Sequence, residues 1–269
     1  MLMLTPAVVA RQTAFTGTAN GQGIGLAVLS VTVVVAGIVF MTACGRRRFP
    51  SEPAVLPVLW YLNRLWTGLW YRVRCIGPCT VPAAGPVILT ANHGSTADPL
   101  MLYATCPQRS MGFMIAREYA HLPVLHHITD VVRCIPVKRD GQDTAATKAA
   151  LRRLREGGML GIFIEGRIPQ PGRTEPPKNG VALLALHSGA TVVPAYISGL
   201  VYRDGVAASF FTRHHARVRY GKPVDLSEFT SRDRDSLKRA TEKIHAAILE
   251  LKRQAQAAGE GVKSSARPV

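Results

Sequence analysis

The hydrophobic positions of the chain form one long uninterrupted run near its start and many short runs after it. Residues 23–44 hold no charged side chain, and at about 1.5 Å per residue a helix of that length crosses the roughly 30 Å hydrocarbon core of a bilayer. Three arginines follow at 46–48, which by the positive-inside rule keeps the rest of the chain in the cytoplasm. We therefore predict a tail over 1–22 and a single-pass transmembrane helix over 23–44, with a signal peptide or a buried core helix as alternatives.

A second amphipathic segment, residues 57–74, holds all three tryptophans of the chain. Its apolar residues recur at helical spacing, and Arg64 and Arg72 lie off that stripe. Trp and Tyr favour the membrane–water interface, because one end of each side chain is apolar and the other can form hydrogen bonds. We predict an interfacial helix over 57–74 on the cytoplasmic leaflet. The alternative is a helix packed on the domain, and both can hold on different faces.

Short apolar runs of strand length recur in the remainder of the chain, and helical patterns lie between them. The predicted strands are 86–91, 111–116, 131–137, 159–164 and 192–197, and a late run at 216–220 can add another. The predicted helices are 99–106, 144–156, 181–188 and 233–256. This alternation predicts an α/β fold, a layered sheet flanked by helices, over residues 75–256, followed by a flexible tail at 257–269.

The composition adds an anionic partner to this picture. The chain has 269 residues, of which 47% are hydrophobic, and its 33 Lys and Arg against 17 Asp and Glu give a formal charge of +16. Such a chain is neither disordered nor a disulfide-rich secreted scaffold. A basic, apolar protein suits membrane lipid or a phosphorylated substrate, and no nucleic-acid-binding signature is present. The five cysteines and the histidine pairs lack metal-ligand spacing, so we expect reduced thiols and no metal.

Candidate catalytic residues follow the first strand of the predicted domain. His93 and Asp98 are five positions apart, so they cannot share one face of a continuous helix. Gly94 and Ser95 supply a bend that can bring them together. An imidazole beside a carboxylate can take a proton from a hydroxyl near neutral pH, because the carboxylate fixes the tautomer and stabilises the imidazolium. The competing interpretation is that Asp98 caps the helix that begins at Pro99 and that His93 is an ordinary loop residue.

Four motif blocks stand in order between residues 88 and 197. The first is Asn-His-x-Ser-x-x-Asp at 92–98, and the second is Ile-Pro-Val-Lys-Arg at 135–139. The third, Ile-Phe-Ile-Glu-Gly-Arg-Ile at 162–168, is trailed by Lys-Asn-Gly, and the fourth is a proline-containing strand at 192–197. This ordered set resembles the signatures of the glycerolipid acyltransferase family, which includes the 1-acylglycerol-3-phosphate acyltransferases.

The resemblance implies acyl transfer to a hydroxyl, with His93 as the general base and Asp98 as the residue that orients it. The acceptor's phosphate would need cations. Guanidinium groups bind phosphate through paired donors, so Arg139 and Arg167 are the expected ligands, and Lys178 can add a point charge.

Glu165 and Gly166 belong to the third block. We expect Glu165 either to position an arginine or to bond an acceptor hydroxyl, and Gly166 to let the backbone approach the substrate closely. Two departures from the family pattern fall here: Ile164 replaces the usual proline, and Arg167 follows the glycine directly, where many members have a small residue. They leave open whether Arg167 or Arg173 faces the substrate.

The resemblance implies lysophosphatidate as the acceptor, with acyl-CoA or acyl carrier protein as the donor and no further cofactor. The alternatives are another lysophospholipid or lyso-aminolipid as the acceptor, and a non-catalytic basic module that binds anionic membrane lipid through its arginines. In each case we expect the protein at the cytoplasmic face of a membrane.

Overall fold

The computed structural model describes residues 17–49, 52–106, 109–138, 143–169, 175–200, 206–230 and 233–260. The strands within these ranges are β1 (Arg74–Ile76), β2 (Val87–Ala91), β3 (Gly112–Ala116), β4 (Ile135–Val137), β5 (Met159–Phe163), β6 (Thr191–Ser198) and β7 (Arg217–Tyr220). The helices are α1 (Gly17–Arg48), α2 (Val55–Trp70), α3 (Asp98–Thr105), α4 (Arg117–Ala120), α5 (Pro123–Val131), α6 (Thr144–Arg155), α7 (Gly180–Ser188), α8 (Val206–Phe211) and α9 (Arg234–Ala257).

The strands form one sheet in the order β1-β7-β6-β2-β5-β3-β4. Neighbouring strands run parallel, except for the antiparallel pair of β6 and β7. The last residues of β2 to β6 therefore meet at one edge, called here the carboxyl edge, and their first residues meet at the opposite, amino edge. Open α/β sheets bind ligands at the carboxyl edge. The predicted α/β fold with a layered, helix-flanked sheet is confirmed.

Strand β2 is central to the sheet, and all five of its residues are buried. Successive side chains of a strand point to opposite faces. Leu89 accordingly packs in a core with residues of α2 and α3, whereas Ile88 packs in a second core with residues of α6, α7 and α9. Helices thus cover both faces of β2, which gives the loop after it a firm base at the carboxyl edge.

The strand predicted at 131–137 is too long, because the structure begins that strand only at Ile135. Val131 instead ends α5, and the chain reverses at Arg133, whose φ is 56°. Val131 and Val132 lie at a helix end and pack against the core. A short run of buried apolar residues looks the same in a sequence whether it belongs to a helix or to a strand. Strand β1 and helices α4, α5 and α8 were not predicted.

Helix α1 includes the whole segment predicted as a transmembrane anchor. No helix in the described part of the chain combines the length and the apolar character that crossing a membrane requires. The prediction of a spanning helix over 23–44 is therefore not supported; α1 begins with the polar stretch Gly-Thr-Ala-Asn-Gly-Gln and ends in three arginines. Of the predicted tail, residues 17–22 form the first turns of α1, and 1–16 lie outside the described residues.

The amphipathic segment predicted at 57–74 is helical, but α2 ends at Trp70. Arg72 adopts a φ of 44° and Arg74 begins β1, so the chain turns before the predicted end. One side of α2 packs on the domain, where the Trp60 indole N–H donates to the Tyr103 carbonyl at 3.1 Å. The other side exposes three leucines, Leu62, Leu65 and Leu69. One face of α2 therefore packs on the domain, as the alternative prediction had it, and the outer face is apolar and exposed.

Candidate active site

The loop that follows β2 is tied to β6 by one side chain. The amide nitrogen of Asn92 donates to the Ile197 carbonyl at 3.0 Å, and its amide oxygen accepts from the Ile197 N–H at 2.8 Å. These two bonds continue the pairing of β2 with β6 past the end of β2. Asn92 therefore fixes the position from which His93 projects.

The bend predicted between His93 and Asp98 is present and brings the two side chains together. His93 Nδ1 lies 2.9 Å from Asp98 Oδ2. The same oxygen accepts the backbone N–H groups of Gly94 at 2.7 Å and Ser95 at 2.9 Å. The competing interpretation is wrong: the N-cap position of α3 is Ala97, and no side chain caps that helix. The Asp98 carboxylate faces back toward the loop and His93.

The hydrogen bonds of this pair, called here the His–Asp dyad, set the tautomer of the imidazole. Asp98 is 1% exposed and His93 15% exposed. Asp98 Oδ2 accepts hydrogen bonds from two backbone N–H groups, as a carboxylate oxygen without a hydrogen does. The imidazole must therefore be the donor in the third contact, so Nδ1 carries the proton. The neutral ring then has its lone pair on Nε2. This is the arrangement that general-base catalysis requires.

An aromatic ring fixes the plane of the imidazole. Phe163, the last residue of β5, stacks on His93 with ring centroids 3.9 Å apart and an interplanar angle of 9°. Phe113 of β3 stacks on Phe163 in turn at 6.0 Å. Rotation of the imidazole about its side-chain bonds would break this stack as well as the bond to Asp98, so two independent contacts orient Nε2.

Glu165 lies at the dyad, in a role that the sequence analysis did not foresee. Its Oε2 accepts the backbone N–H of His93 at 3.1 Å. Burial is the main cause that raises the pKa of Glu165 from 4.5 to about 6, and backbone hydrogen bonds, including the one from His93, act in the opposite direction. Glu165 thus holds the backbone of the catalytic loop from the β5 side, as Asn92 holds it from the β6 side.

The predicted phosphate ligands are only partly brought together. Gly166 has a φ of 71°, and a Cβ there would lie 2.9 Å from Lys178 Cδ, so the lysine side chain crosses directly over this glycine. Arg167 is half exposed, and its Nε lies 3.7 Å from a carboxylate oxygen of Glu175. Arg139 and the alternative Arg173 both lie outside the described residues.

A cavity of about 150 Å³ lies beside the dyad. Its walls come from the loop between β2 and α3, from the end of β6, from Ala255 and Gln256 in the last turn of α9, and from Glu260 just after that helix. Glu260 is held by a two-pronged ion pair with Arg219, at 2.6 and 3.0 Å. Among the described residues, no cluster of three or more His, Cys, Asp or Glu side chains is arranged to hold a metal ion.

Asn92 and Phe163 are the site residues whose roles sequence reasoning missed. Both stand within the quoted motif blocks, next to residues that were singled out. Their partners, however, lie 105 and 70 positions away along the chain, so only the sheet order reveals what they contact. Adjacency to the motif residues was the one signal available.

Comparison with known proteins agrees with this geometry. Residues 72–198 match the acyltransferase family model. A 1-acyl-sn-glycerol-3-phosphate acyltransferase of Borreliella burgdorferi is 26% identical over 64% of this chain and 73% of its own length. The human 1-acyl-sn-glycerol-3-phosphate acyltransferase beta is 26% identical over 65% of this chain and 63% of its own length. The crystal structure of the Thermotoga maritima 1-acyl-sn-glycerophosphate acyltransferase PlsC superposes with a TM-score of 0.61, at 22% identity, over 82% of this chain and 89% of that one.

The α/β fold and the family match indicate an acyltransferase-like enzyme, and the dyad places an imidazole where it is suited to act as a general base. Residues 72–198 resemble an acyltransferase domain, and the chain is similar to the 1-acyl-sn-glycerol-3-phosphate acyltransferases. The matched domain includes the dyad together with Glu165 and Gly166.

Proposed function

We propose that the protein transfers a fatty acyl group from an acyl thioester to the free hydroxyl of lysophosphatidate, as a step of phospholipid synthesis. The observation that carries this proposal is the 2.9 Å contact between His93 Nδ1 and Asp98 Oδ2, which leaves Nε2 as the base. The names of the relatives support the choice of acceptor. The donor is acyl-CoA or acyl carrier protein.

The reaction needs no acyl-enzyme intermediate. His93 Nε2 takes the proton of the acceptor hydroxyl while its oxygen forms a bond to the thioester carbonyl carbon. The tetrahedral intermediate then expels the thiolate, which receives the proton from the imidazolium and leaves as a thiol. Asp98 stabilises the imidazolium between these two transfers. The buried hydroxyl of Ser95 instead accepts the Ala97 N–H at 3.2 Å, which suits a role in shaping the bend.

Cations near the third motif block would hold the phosphate of the acceptor. The Lys178 side chain lies directly over Gly166, and Arg167 is the next residue along the chain. The 3.7 Å contact of Arg167 with Glu175 is long and half exposed, so a phosphate can compete for this guanidinium. We include Arg139 among the proposed phosphate ligands only because it belongs to the second motif block.

The outer face of α2 is suited to contact the cytoplasmic leaflet in which the acceptor and the product reside. Beside its exposed leucines, Phe211 of α8 is 62% exposed. Trp66 stacks on Phe210 at 5.1 Å, and Arg213 lies 4.4 Å over the Trp70 ring. Apolar side chains next to aromatic rings and a cation match the chemistry of a lipid interface. We propose that this face brings the carboxyl edge of the sheet to the membrane.

The deciding experiment measures thiol release by the purified full chain from oleoyl-CoA in the presence of lysophosphatidate. His93→Ala should lower the rate by about 10³-fold, because the general base is lost. His127→Ala, an exposed histidine on α5, is the matched control and should keep the rate within about twofold. Binding to liposomes should be the same for all three proteins. Turnover that survives in His93→Ala would contradict the mechanism, and absence of turnover in the wild type would favour a non-catalytic lipid-binding module.

The acceptor is tested separately with one donor and a panel of hydroxyl-bearing lipids. Lysophosphatidate should give the highest kcat/KM, ahead of other lysophospholipids and lyso-aminolipids. If another lipid gives a higher kcat/KM and its turnover still requires His93, the proposed reaction stands and the proposed acceptor is wrong.

A further inference from the structure

A second cavity lies at the amino edge of the sheet, where β3, β4 and β5 begin. Its volume is about 550 Å³, within the range of about 300–1,000 Å³ that is usual for small-molecule sites. Its charged lining, which defines what is called here the basic cavity, consists of Arg109, Arg133, Arg152, Arg153, Glu52 and Glu156. Four guanidinium groups against two carboxylates leave a surplus of positive charge.

Two of the four arginines are held by neutral oxygens. Arg109 donates to the carbonyls of Gly85, at 2.5 Å, and of Gly157. Arg153 donates through Nε to the Met159 carbonyl at 3.0 Å. Such contacts fix the direction of a guanidinium and leave its charge uncompensated. In the described part of the chain, the one ion pair among the charged lining residues joins Arg133 to Glu52, at 3.7 Å.

The cations are also crowded and partly desolvated. Burial lowers the pKa of Arg109 and of Arg153 from its ordinary value, and the charge of Arg133 lowers that of Arg153 further, while Glu52 acts in the opposite direction. Guanidinium groups stay charged in proteins, so this crowding is a standing electrostatic cost. An anion placed among the four groups would relieve it.

The backbone at Arg133 adds an independent observation. Its φ of 56° lies in the left-handed region, which is unfavourable for a residue with a Cβ and readily adopted by glycine. The turn is tight as well, because a Cβ on Gly112 would lie 2.5 Å from the Arg133 carbonyl oxygen. Arg133 stands at the position just after the end of α5, where glycine is common. The chain has an arginine there, and that arginine lines the cavity.

We propose that the basic cavity binds a phosphate-bearing anion. Paired guanidinium donors match phosphate in geometry and in charge. The site is separate from the dyad, because the five residues of β2, at roughly 3.3 Å each, stand between the two edges of the sheet. The phosphate is either that of a lipid headgroup or that of a soluble phosphorylated molecule.

A simpler account is that arginines gather at the end of α6 to offset its dipole. Arg152, Arg153 and Arg155 all lie in the last turn of this helix, but Arg155 does not line the cavity. The dipole account treats Arg152 and Arg155 alike, whereas the proposed site needs only Arg152. Arg155→Gln is therefore the matched control.

The test is calorimetric titration of the full chain with inorganic pyrophosphate at constant ionic strength. We expect saturable binding that weakens at least about tenfold in the double variant Arg133→Gln, Arg152→Gln, because charged hydrogen bonds are removed. Arg155→Gln should stay within about twofold. The single variant Arg152→Gln, at an exposed helix position, should weaken binding severalfold if the double variant does not fold. Absence of saturable binding, or equal weakening in Arg152→Gln and Arg155→Gln, would overturn the proposal.

Flotation with vesicles identifies the source of the phosphate. Phosphatidylcholine vesicles are compared with and without about one fifth phosphatidate. If the double variant loses the phosphatidate-dependent recruitment that Arg155→Gln keeps, the ligand is a lipid headgroup. If recruitment is unchanged while pyrophosphate binding is lost, the ligand is a soluble phosphate. Recruitment and pyrophosphate binding that both survive in the double variant would contradict the site.

Discussion

The two edges of one sheet treat charge in opposite ways. At the carboxyl edge, the buried Asp98 carboxylate meets three donors, from His93, Gly94 and Ser95, at 2.7 to 2.9 Å. At the amino edge, Arg109 and Arg153 donate to backbone carbonyls, and Arg133 forms an ion pair with Glu52. The comparison teaches that the first edge is organised for proton transfer before any ligand arrives. The second edge has a surplus of positive charge, which a phosphate-bearing anion would offset.

The sharpest test of the organised edge is Asp98→Asn. An amide in this place cannot stabilise the imidazolium and can hold the wrong tautomer, so kcat should fall by about 10²–10⁴-fold. Asp130→Asn is the matched control, because Asp130 also contacts a histidine, His126, at 3.4 Å, but on an exposed face of α5. Steady-state kinetics of both variants should therefore diverge by at least about a hundredfold, and similar rates would remove Asp98 from the mechanism.

Asn92→Ala should have the next largest effect. It leaves the N–H and the carbonyl of Ile197 without their partner, which costs about 1–3 kcal/mol of unfolding free energy. Because His93 is displaced as well, kcat should fall by about 10–100-fold. Asn63→Ala removes an amide contact of 3.0 Å to Leu100 between α2 and α3 and leaves the hydrogen bonds of residues 92–98 in place. It should lower the melting temperature without a comparable loss of kcat. Equal kinetic losses in the two variants would mean that Asn92 contributes only to stability.

Glu165→Gln tests the carboxyl group at the carboxyl edge whose pKa is raised by burial. The folded-state pKa of about 6 exceeds the ordinary 4.5, so the native state binds this proton more tightly than the unfolded state. The stability due to protonation is complete below about 4.5 and is lost as pH rises through about 6. Urea unfolding of the wild type should show a decline on the order of 1 kcal/mol across that window, and Glu165→Gln should remove it. Glu250→Gln, whose carboxyl has a lowered pKa because of Arg253, should keep the decline.

The smallest effect is expected at the amino edge. Arg133→Gly relieves the left-handed backbone and should raise the free energy of unfolding by up to about 1 kcal/mol, reduced in part by the greater freedom of glycine in the unfolded chain. The same variant should bind pyrophosphate more weakly. A substitution that stabilises the protein while weakening anion binding would show that the arginine is retained for its charge. Loss of stability in urea unfolding would show instead that the side chain supports the fold.

The sequence predicted well what short-range pattern controls. The central strand runs and the helices that start after Asp143 and Asp233 were found within a few residues, because period and capping residues mark them. Strand β1 was missed, since three edge residues make no pattern. The five-residue spacing allowed either the dyad or a helix cap, and the resemblance to the acyltransferase family favoured the dyad. The contacts of Asn92 and Phe163 depend on which strands are neighbours. The basic cavity joins four distant segments and has no local signature at all.

The position of α9 has a practical consequence. The last turn of α9 and Glu260 just after it form one wall of the cavity beside the dyad, and Arg219 holds Glu260 in place. Shortening the chain before Glu260 would remove part of that wall. Affinity handles and fusion partners placed directly after this turn should therefore be judged by turnover as well as by yield.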